Sequence, residues 1–329
     1  MSYTSRNELP VGTSLKRVVQ VVDLLGYRRL RGSLRVPNMV GSYQWYDEED
    51  YRSWSGVELQ IYQENGMVAV DTRSTVSRSY WDITHQNKTI KLIRDLFGGC
   101  FDTDAGRNRY WRPEEPPTPP LVSGCYLARW RFKNALIKSQ IYLWARKLEG
   151  DMAREKPTGF HFMDAMNPRL LSNNLLVPFI VAVWEEYFRS AFAAVLKYAD
   201  RREQVLKKAR LNHTQLEQIA INKKPVEQTI SECFSFQRPS IIAENFRILD
   251  AKLDLAAALR KPYKRRKVTL FDQIEGLVEG RNAFVHAGDM DLSLYDKELE
   301  RVLTDIVEAV DRCYQAIGTR FGFTPLTDY

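Results

Sequence analysis

The first third of the chain mixes two hydrophobic periods. Val18, Val19, Val21, Val22, Leu24 and Leu25 suggest a short helix from about Thr13, and their β-branched density leaves a strand open as the alternative. Val57-Glu58-Leu59-Gln60-Ile61-Tyr62 alternates apolar and polar residues, and 67–72 partly repeats the alternation. Asn65-Gly66 lies between them, a dipeptide that accepts the positive φ angles of a tight turn, so the two runs read as a β-hairpin. Ile90, Ile93, Leu96 and Phe97 then mark a helix that Gly98-Gly99 ends.

The segment 113–120, Pro-Glu-Glu-Pro-Pro-Thr-Pro-Pro, holds five prolines in eight residues. Proline lacks an amide hydrogen and fixes φ, so this stretch continues neither a helix nor a central strand. It reads as a linker over 113–123, or else as a stiff surface loop inside one domain. Beyond it the pattern is almost wholly helical, with candidates at 125–148, 174–198, 240–259, 269–287 and 293–317. Ser293 and Asp296 have the spacing of a capping box. The polar stretch 201–224 reads as an excursion between core helices. The expected fold is an α+β domain over 1–112 followed by an all-α helical bundle over 124–329.

Composition changes this picture little. The chain has 329 residues, 44% of them hydrophobic and 12% aromatic, enough for two cores. Net charge is +7, which favours an acidic partner such as nucleic acid without dictating the fold. The four cysteines, Cys100, Cys125, Cys233 and Cys313, form no Cys-x-x-Cys pair, so neither zinc nor a redox dithiol is signalled. His85, His161 and His213 do not fall at metal-ligand spacing, and no metal or other cofactor is expected. There is no Walker loop, dinucleotide fingerprint or Gly-x-Ser-x-Gly elbow. The N-terminus lacks the apolar core of a signal peptide, and the apolar run 175–184 is too short to span a bilayer and contains Pro178. The expectation is a cytoplasmic protein without a membrane partner.

The candidate chemistry sits at Arg281-Asn282-Ala283-Phe284-Val285-His286. Phe271, Ile274, Leu277, Val278, Phe284 and Val285 define an apolar helix stripe, and helical phasing places Arg281 near its middle. A guanidinium there is expensive unless paired, so either a carboxylate neutralises it or it lines a cleft that receives an anion. Asn282 and His286 are four apart and share a face, where the amide can orient the imidazole. RNA carries its own nucleophile, the 2′-OH. Its cleavage needs a base, an acid and positive charge on the phosphate, and histidine and arginine supply these without a metal. One helix offers one of each, which points to two facing copies. Spacing alone is weak, because Arg78 to His85 and Arg154 to His161 also place an arginine ahead of a histidine.

The stretch 274–288, Ile-Glu-Gly-Leu-Val-Glu-Gly-Arg-Asn-Ala-Phe-Val-His-Ala-Gly, resembles the signature helix of HEPN domains. Val181-Ala182-Val183-Trp184-Glu185-Glu186-Tyr187-Phe188-Arg189 is similar to the earlier helix of that family, which carries an acidic residue on an apolar background. The resemblance spans 174–317. It implies a helical bundle that dimerises, with Arg281 and His286 converging at the dimer interface and Glu185 supporting Arg281. It also implies metal-independent endoribonuclease activity, in toxin or anti-phage defence settings. The alternative is a non-catalytic helical dimerisation and binding module, with the N-terminal domain doing the recognition.

Lys261, Tyr263, Lys264, Arg265, Arg266 and Lys267 precede the motif, and could grip RNA with Tyr263 stacking on a base; a solvated loop is the plain alternative. Lys207, Lys208 and Arg210 form a weaker patch. The aromatics Trp45, Tyr46, Tyr51, Trp54, Tyr80, Trp81, Tyr110 and Trp111 fit packing better than ligand stacking. Residues 1–112 are left as a sensor or regulatory domain that a partner or ligand would address.

Overall fold

The structure is a computed structural model and describes residues 2–31, 36–149, 158–221 and 223–326. The chain forms two compact units, Met1–Ser123 and Gly124–Asp328.

In the first unit, β1 (Tyr3–Glu8), β2 (Arg28–Arg29), β3 (Met39–Trp45), β4 (Val57–Glu64), β5 (Met67–Ser74), β6 (Cys100–Thr103) and β7 (Gly106–Arg107) form one antiparallel sheet, ordered β2-β3-β4-β5-β1-β6-β7. The expected hairpin is its centre. β4 and β5 pair from Val57↔Ser74 to Glu64↔Met67, and Asn65 and Gly66 both take positive φ in the turn. Val57, Leu59 and Ile61 are fully buried, while Glu58 and Gln60 point to the other face. α1 (Leu15–Leu24) is a helix, resolving the choice left by its valines, and α2 (Tyr80–Phe97) ends at Gly98 as expected. Val18, Val22 and Ile93 from these helices pack onto the buried strand residues.

Asp82 completes the Ser79 capping box and also accepts from the amides of Trp54 and Ser55. Burial raises its carboxyl pKa despite those bonds. One turn on, His85 is buried under Trp45, ring on ring at 3.7 Å. The proline-rich stretch belongs to this unit and is not a free linker. Tyr3 donates to Glu114 at 3.0 Å, Asn87 exchanges two hydrogen bonds with Trp111, and Pro113 and Pro116 share a recess with Tyr3 and Trp54. The aromatic side chains serve packing here, with Tyr3 stacked on Trp111 at 4.1 Å.

The second unit is helical: α3 (Pro120–Glu149), α4 (His161–Ala165), α5 (Pro168–Tyr198), α6 (Arg202–Lys208), α7 (His213–Ala220), α8 (Val226–Ser231), α9 (Pro239–Leu249), α10 (Leu255–Arg260), α11 (Leu270–Ala287) and α12 (Asp296–Phe321). α3 begins in the last residues of the first unit. α5 runs through the core, with Trp184, Tyr187, Phe188 and Phe192 buried and Ala191 to Leu196 enclosed on all sides. The expected excursion holds two short helices, α6 and α7; only its residue 222 lies outside the described residues.

Two expectations are corrected. The single helix over 240–259 is two, because Asp250 is extended, pairs with Arg320, and leaves Asp254 to cap α10. The Ser293–Asp296 capping box does not form. Tyr295 is the N-cap of α12, and Ser293 donates instead to Asp291 at 2.6 Å.

α3, α5 and α12 meet at a buried polar cluster. Arg146 of α3 donates to Asp296, to Asn173 at 2.8 Å and to Ser172 at 2.6 Å, and Arg169 stands 3.5 Å from the second Asp296 oxygen. Asp296 opens α12, where the helix dipole also favours an anion. Asp296→Ala would remove the carboxylate that two buried guanidinium groups share, so it should cost about 3–5 kcal/mol in urea unfolding. A loss below about 1 kcal/mol, the value of an exposed pair, would show that the cluster is solvated.

Burial pulls the His85 imidazole down to about 3, and Lys88 pushes the same way. The unfolded chain protonates this histidine near pH 6.5. Stability from keeping it neutral is therefore complete above about pH 6.5 and is lost as pH falls from there towards 3. His85→Phe, which keeps the stack on Trp45, should flatten the fall of the urea midpoint between about pH 6.5 and 4. Equal slopes for both proteins would contradict this assignment.

Candidate functional site

α11 carries the Arg-Asn-x-x-x-His segment. Thr269 caps its start by accepting from the Asp272 amide, and Gly288 ends it at φ 77 with its amide bonded to the Phe284 carbonyl. Leu270, Phe271, Ile274 and Val278 are buried, but Phe284 is half-buried and Val285 exposed. The apolar stripe thus leaves the core at its second half. Arg281 sits at that transition.

Arg281 is half-buried and lines a groove of about 500 Å³ between α11 and α12. One of its terminal nitrogens donates to the Asn282 side-chain carbonyl at 2.8 Å, while its Nε is enclosed without a hydrogen-bond acceptor. Among the described residues no carboxylate lies within ion-pair distance of it. Of the two roles open to a guanidinium on this stripe, lining a cleft is the one seen.

Glu185 is not brought to Arg281. It bonds Arg189 one turn along its own helix at 2.7 Å, and Glu186 shares that arginine. Asn282 serves Arg281 and makes no hydrogen bond to His286. His286 is exposed and lies outside the groove, about 140° around the helix from Arg281. The two other arginine–histidine spacings part ways. Arg78 lies over the Tyr3 ring at 3.3 Å while His85 packs under Trp45, and Arg154 is outside the described residues.

The basic segment divides. Lys261, Lys264, Arg265 and Lys267 are exposed, with Lys264 and Arg265 in a turn of positive φ. Arg266 is paired with the buried Asp305 of α12. The Tyr263 ring has the cations of Lys264, Arg266 and Arg312 at 4.8–5.2 Å from its centroid, within cation–π range. Lys207, Lys208 and Arg210 are exposed around the end of α6.

Sequence reasoning gave no role to four groove residues. Asp305 is 5% exposed; one of its oxygens holds Arg266 and the other, Oδ1, has no donor. Gln273 accepts from Arg266 at 3.3 Å. Gly276 and Gly280 of α11 border the groove, and a Cβ on either would meet nothing within 4 Å. The signal for Asp305 was an acid beside the buried stripe of Leu299, Leu303, Ile306 and Val310. For the glycines it was two helix-weakening residues one turn apart.

No family model, curated protein or solved structure matches the chain. Among the described residues no helix is long and apolar enough to cross a membrane, and no group of His, Cys, Asp or Glu is arranged to hold a metal ion.

Because both glycines face open space, Gly276→Ala and Gly280→Ala should each raise stability by about 0.5–1 kcal/mol, the ordinary gain in a helix interior. Urea unfolding checks this. A loss at either position would mean that the helix backbone there is packed.

Proposed function

We propose that the chain is a metal-independent endoribonuclease of the HEPN type, acting as a homodimer. The observation that carries this reading is Arg281: a half-buried cation with no carboxylate partner among the described residues, lining an open groove. Arg281 binds the scissile phosphate through its planar fork. Asn282 holds that guanidinium in place, a role that replaces the orientation of His286. One His286 removes the proton from the 2′-OH as its oxygen attacks phosphorus. The His286 of a second copy protonates the departing 5′ oxygen. The products carry 2′,3′-cyclic phosphate and 5′-hydroxyl ends. Lys261, Lys264, Arg265 and Lys267 hold the RNA backbone, and cleavage of cellular RNA would make the protein a toxin or defence effector.

The second copy is supported by the solvent stripe of α5. Leu171, Leu175 and Phe179 are 46%, 58% and 37% exposed, and Pro168 and Ala182 continue the stripe without a charge. An uncharged apolar stripe is self-complementary about a two-fold axis. It runs beside Asn174 and Val177, which line the Arg281 groove.

A second reading is a non-catalytic dimerisation and binding module. It draws on one observation: His286 lies outside the groove, with no hydrogen bond to hold it among the described residues. One experiment separates the two. RNA is incubated with the protein in EDTA, and product ends are analysed. The enzyme reading expects cyclic phosphate ends, and a loss of about 100-fold or more in rate for His286→Ala and for Arg281→Ala. Leu175→Glu should give monomers in sedimentation and lose activity with them. Undiminished cleavage by His286→Ala would refute the enzyme reading, and wild-type protein that dimerises without cutting RNA would favour the binding module.

A further inference from the structure

We propose that the outer face of α3 is the docking site for an acidic amphipathic helix of a partner protein, packed against it as a coiled coil. Residues 130–147, which carry this face, lie within the second unit. Neither the Arg281 groove nor the α5 stripe takes part in the assignment.

α3 has two apolar faces. Phe132, Leu136 and Leu143 are buried, as the inner face of a bundle helix should be. On the outer side Trp130 is half-buried and Asn134 exposed, and Ile137, Ile141 and Trp144 are 48%, 55% and 62% exposed. Single exposed apolar side chains are ordinary, but a tryptophan and two isoleucines in one row mark an interaction surface.

Spacing says what kind of element fits this row. From Trp130 through Asn134, Ile137 and Ile141 to Trp144 it steps by four, three, four and three residues, the alternation of d and a positions in a heptad. A repeat of about 3.5 residues stays in line with a second helix wound around the first, whereas an added strand reads a period of two. Trp130, Ile137 and Trp144 fall at d, and Asn134 and Ile141 at a. A single asparagine at an a position lowers stability and fixes the register of the helix opposite. A lipid surface calls for an unbroken apolar face and has no use for Asn134.

Charge gives the chemistry of the partner. The e and g positions beside the row are Arg131, Lys133, Lys138, Gln140, Ala145 and Lys147, four cations and no acid. The whole stretch 120–148 contains no Asp or Glu. Lys147 is paired with Glu300 of α12, while Lys138 is exposed next to Ile137, at the centre of the row. Two copies of α3 would set these cations against one another in either orientation, so a second copy is disfavoured. A helix with an apolar seam and Glu or Asp at its own e and g positions is the complement.

The test is titration of the full chain against a fluorescently labelled synthetic peptide, read by anisotropy. The probe has about three heptads, with Ile at a, Leu at d, Glu at e and g, and Asn at its central a position. A control peptide carries Lys at e and g. The acidic peptide should bind at least about tenfold tighter than the basic one, and Lys138→Glu should narrow that preference. Ile141→Asp and Trp144→Ala should each weaken binding of the acidic peptide about tenfold or more, while circular dichroism shows the fold intact. The wild-type chain should prefer the Asn peptide over one with Ile at that position, and Asn134→Ile should reverse the order. No binding of the acidic peptide, equal binding of both peptides, or undiminished binding by folded Ile141→Asp would overturn the proposal. Phosphatidylserine vesicles that bind through Trp144 while the acidic peptide does not would overturn it in favour of a lipid contact. Wild-type dimers that Ile141→Asp dissociates in sedimentation would overturn it in favour of an interface between copies.

Discussion

Asp296 is the side chain on which the second unit turns. It receives Arg146 from the end of α3 and stands near Arg169 at the start of α5, and it is itself the first residue of α12. Three helix ends are therefore indexed to one carboxylate. Burying such charges yields little net stability, but leaving any of them unpaired is costly, so alternative docking registers are penalised. The same cluster reaches the candidate site. Asn173 bonds both Asp296 and the Leu294 carbonyl, while Asn174 bonds Asp291 through its carbonyl and its amide. The chain between α11 and α12 is thus held to α5 by polar clamps, and the space between those two helices is not closed by apolar packing.

Among the charged side chains that line that space, Asp305 and Arg281 do not neutralise each other. Asp305 is held by Arg266, which the basic turn before α11 supplies. Among the described residues Arg281 is bonded to the neutral carbonyl of Asn282. Their separate partners leave one oxygen and one nitrogen enclosed without a hydrogen-bond partner among the described residues, a costly arrangement in a low-dielectric interior. The arginine of the basic turn that matters most is consequently structural, while the exposed lysines around it remain for long-range attraction.

The parts of the fold legible in the sequence were those where one face is apolar and the other wet. Val57, Leu59 and Ile61 announced β4, and Asn65-Gly66 its turn. β1 carried no such signal because its inward positions are polar: Ser5 bonds Thr72 at 2.5 Å and Asn7 donates to the Ile90 carbonyl. The edge strands were too short for any period to show. Helix periodicity found α5 but not its start at Pro168, capped by Asn167, and it ran through the break at Asp250, where a long-range pair with Arg320 decides the conformation. At the site, phasing placed Arg281 near the middle of the apolar stripe, whereas it is half-buried where that stripe leaves the core. Phasing could not see that Glu185 turns to Arg189 or that cations lie within cation–π range of Tyr263, because those choices depend on neighbours in space.

The separation of Arg281 and His286 constrains any chemistry assigned to them. Five residues on a helix amount to a rise of about 7.5 Å and a rotation of about 140°, so the two side chains leave α11 in different directions. A phosphate seated on Arg281 in the groove therefore lies away from the imidazole of the same chain. Lengthening the arginine's reach does not help, since its guanidinium is already held back by Asn282 and half-buried. In the proposed dimer, a second α11 approaching the exposed side of the first would bring its own imidazole to that phosphate. Gly276 and Gly280 leave room on the groove side, and the uncharged stripe of α5 offers a contact that costs no charge desolvation. The spacing of the motif on one helix, more than the presence of its residues, is why the proposed ribonuclease requires two copies.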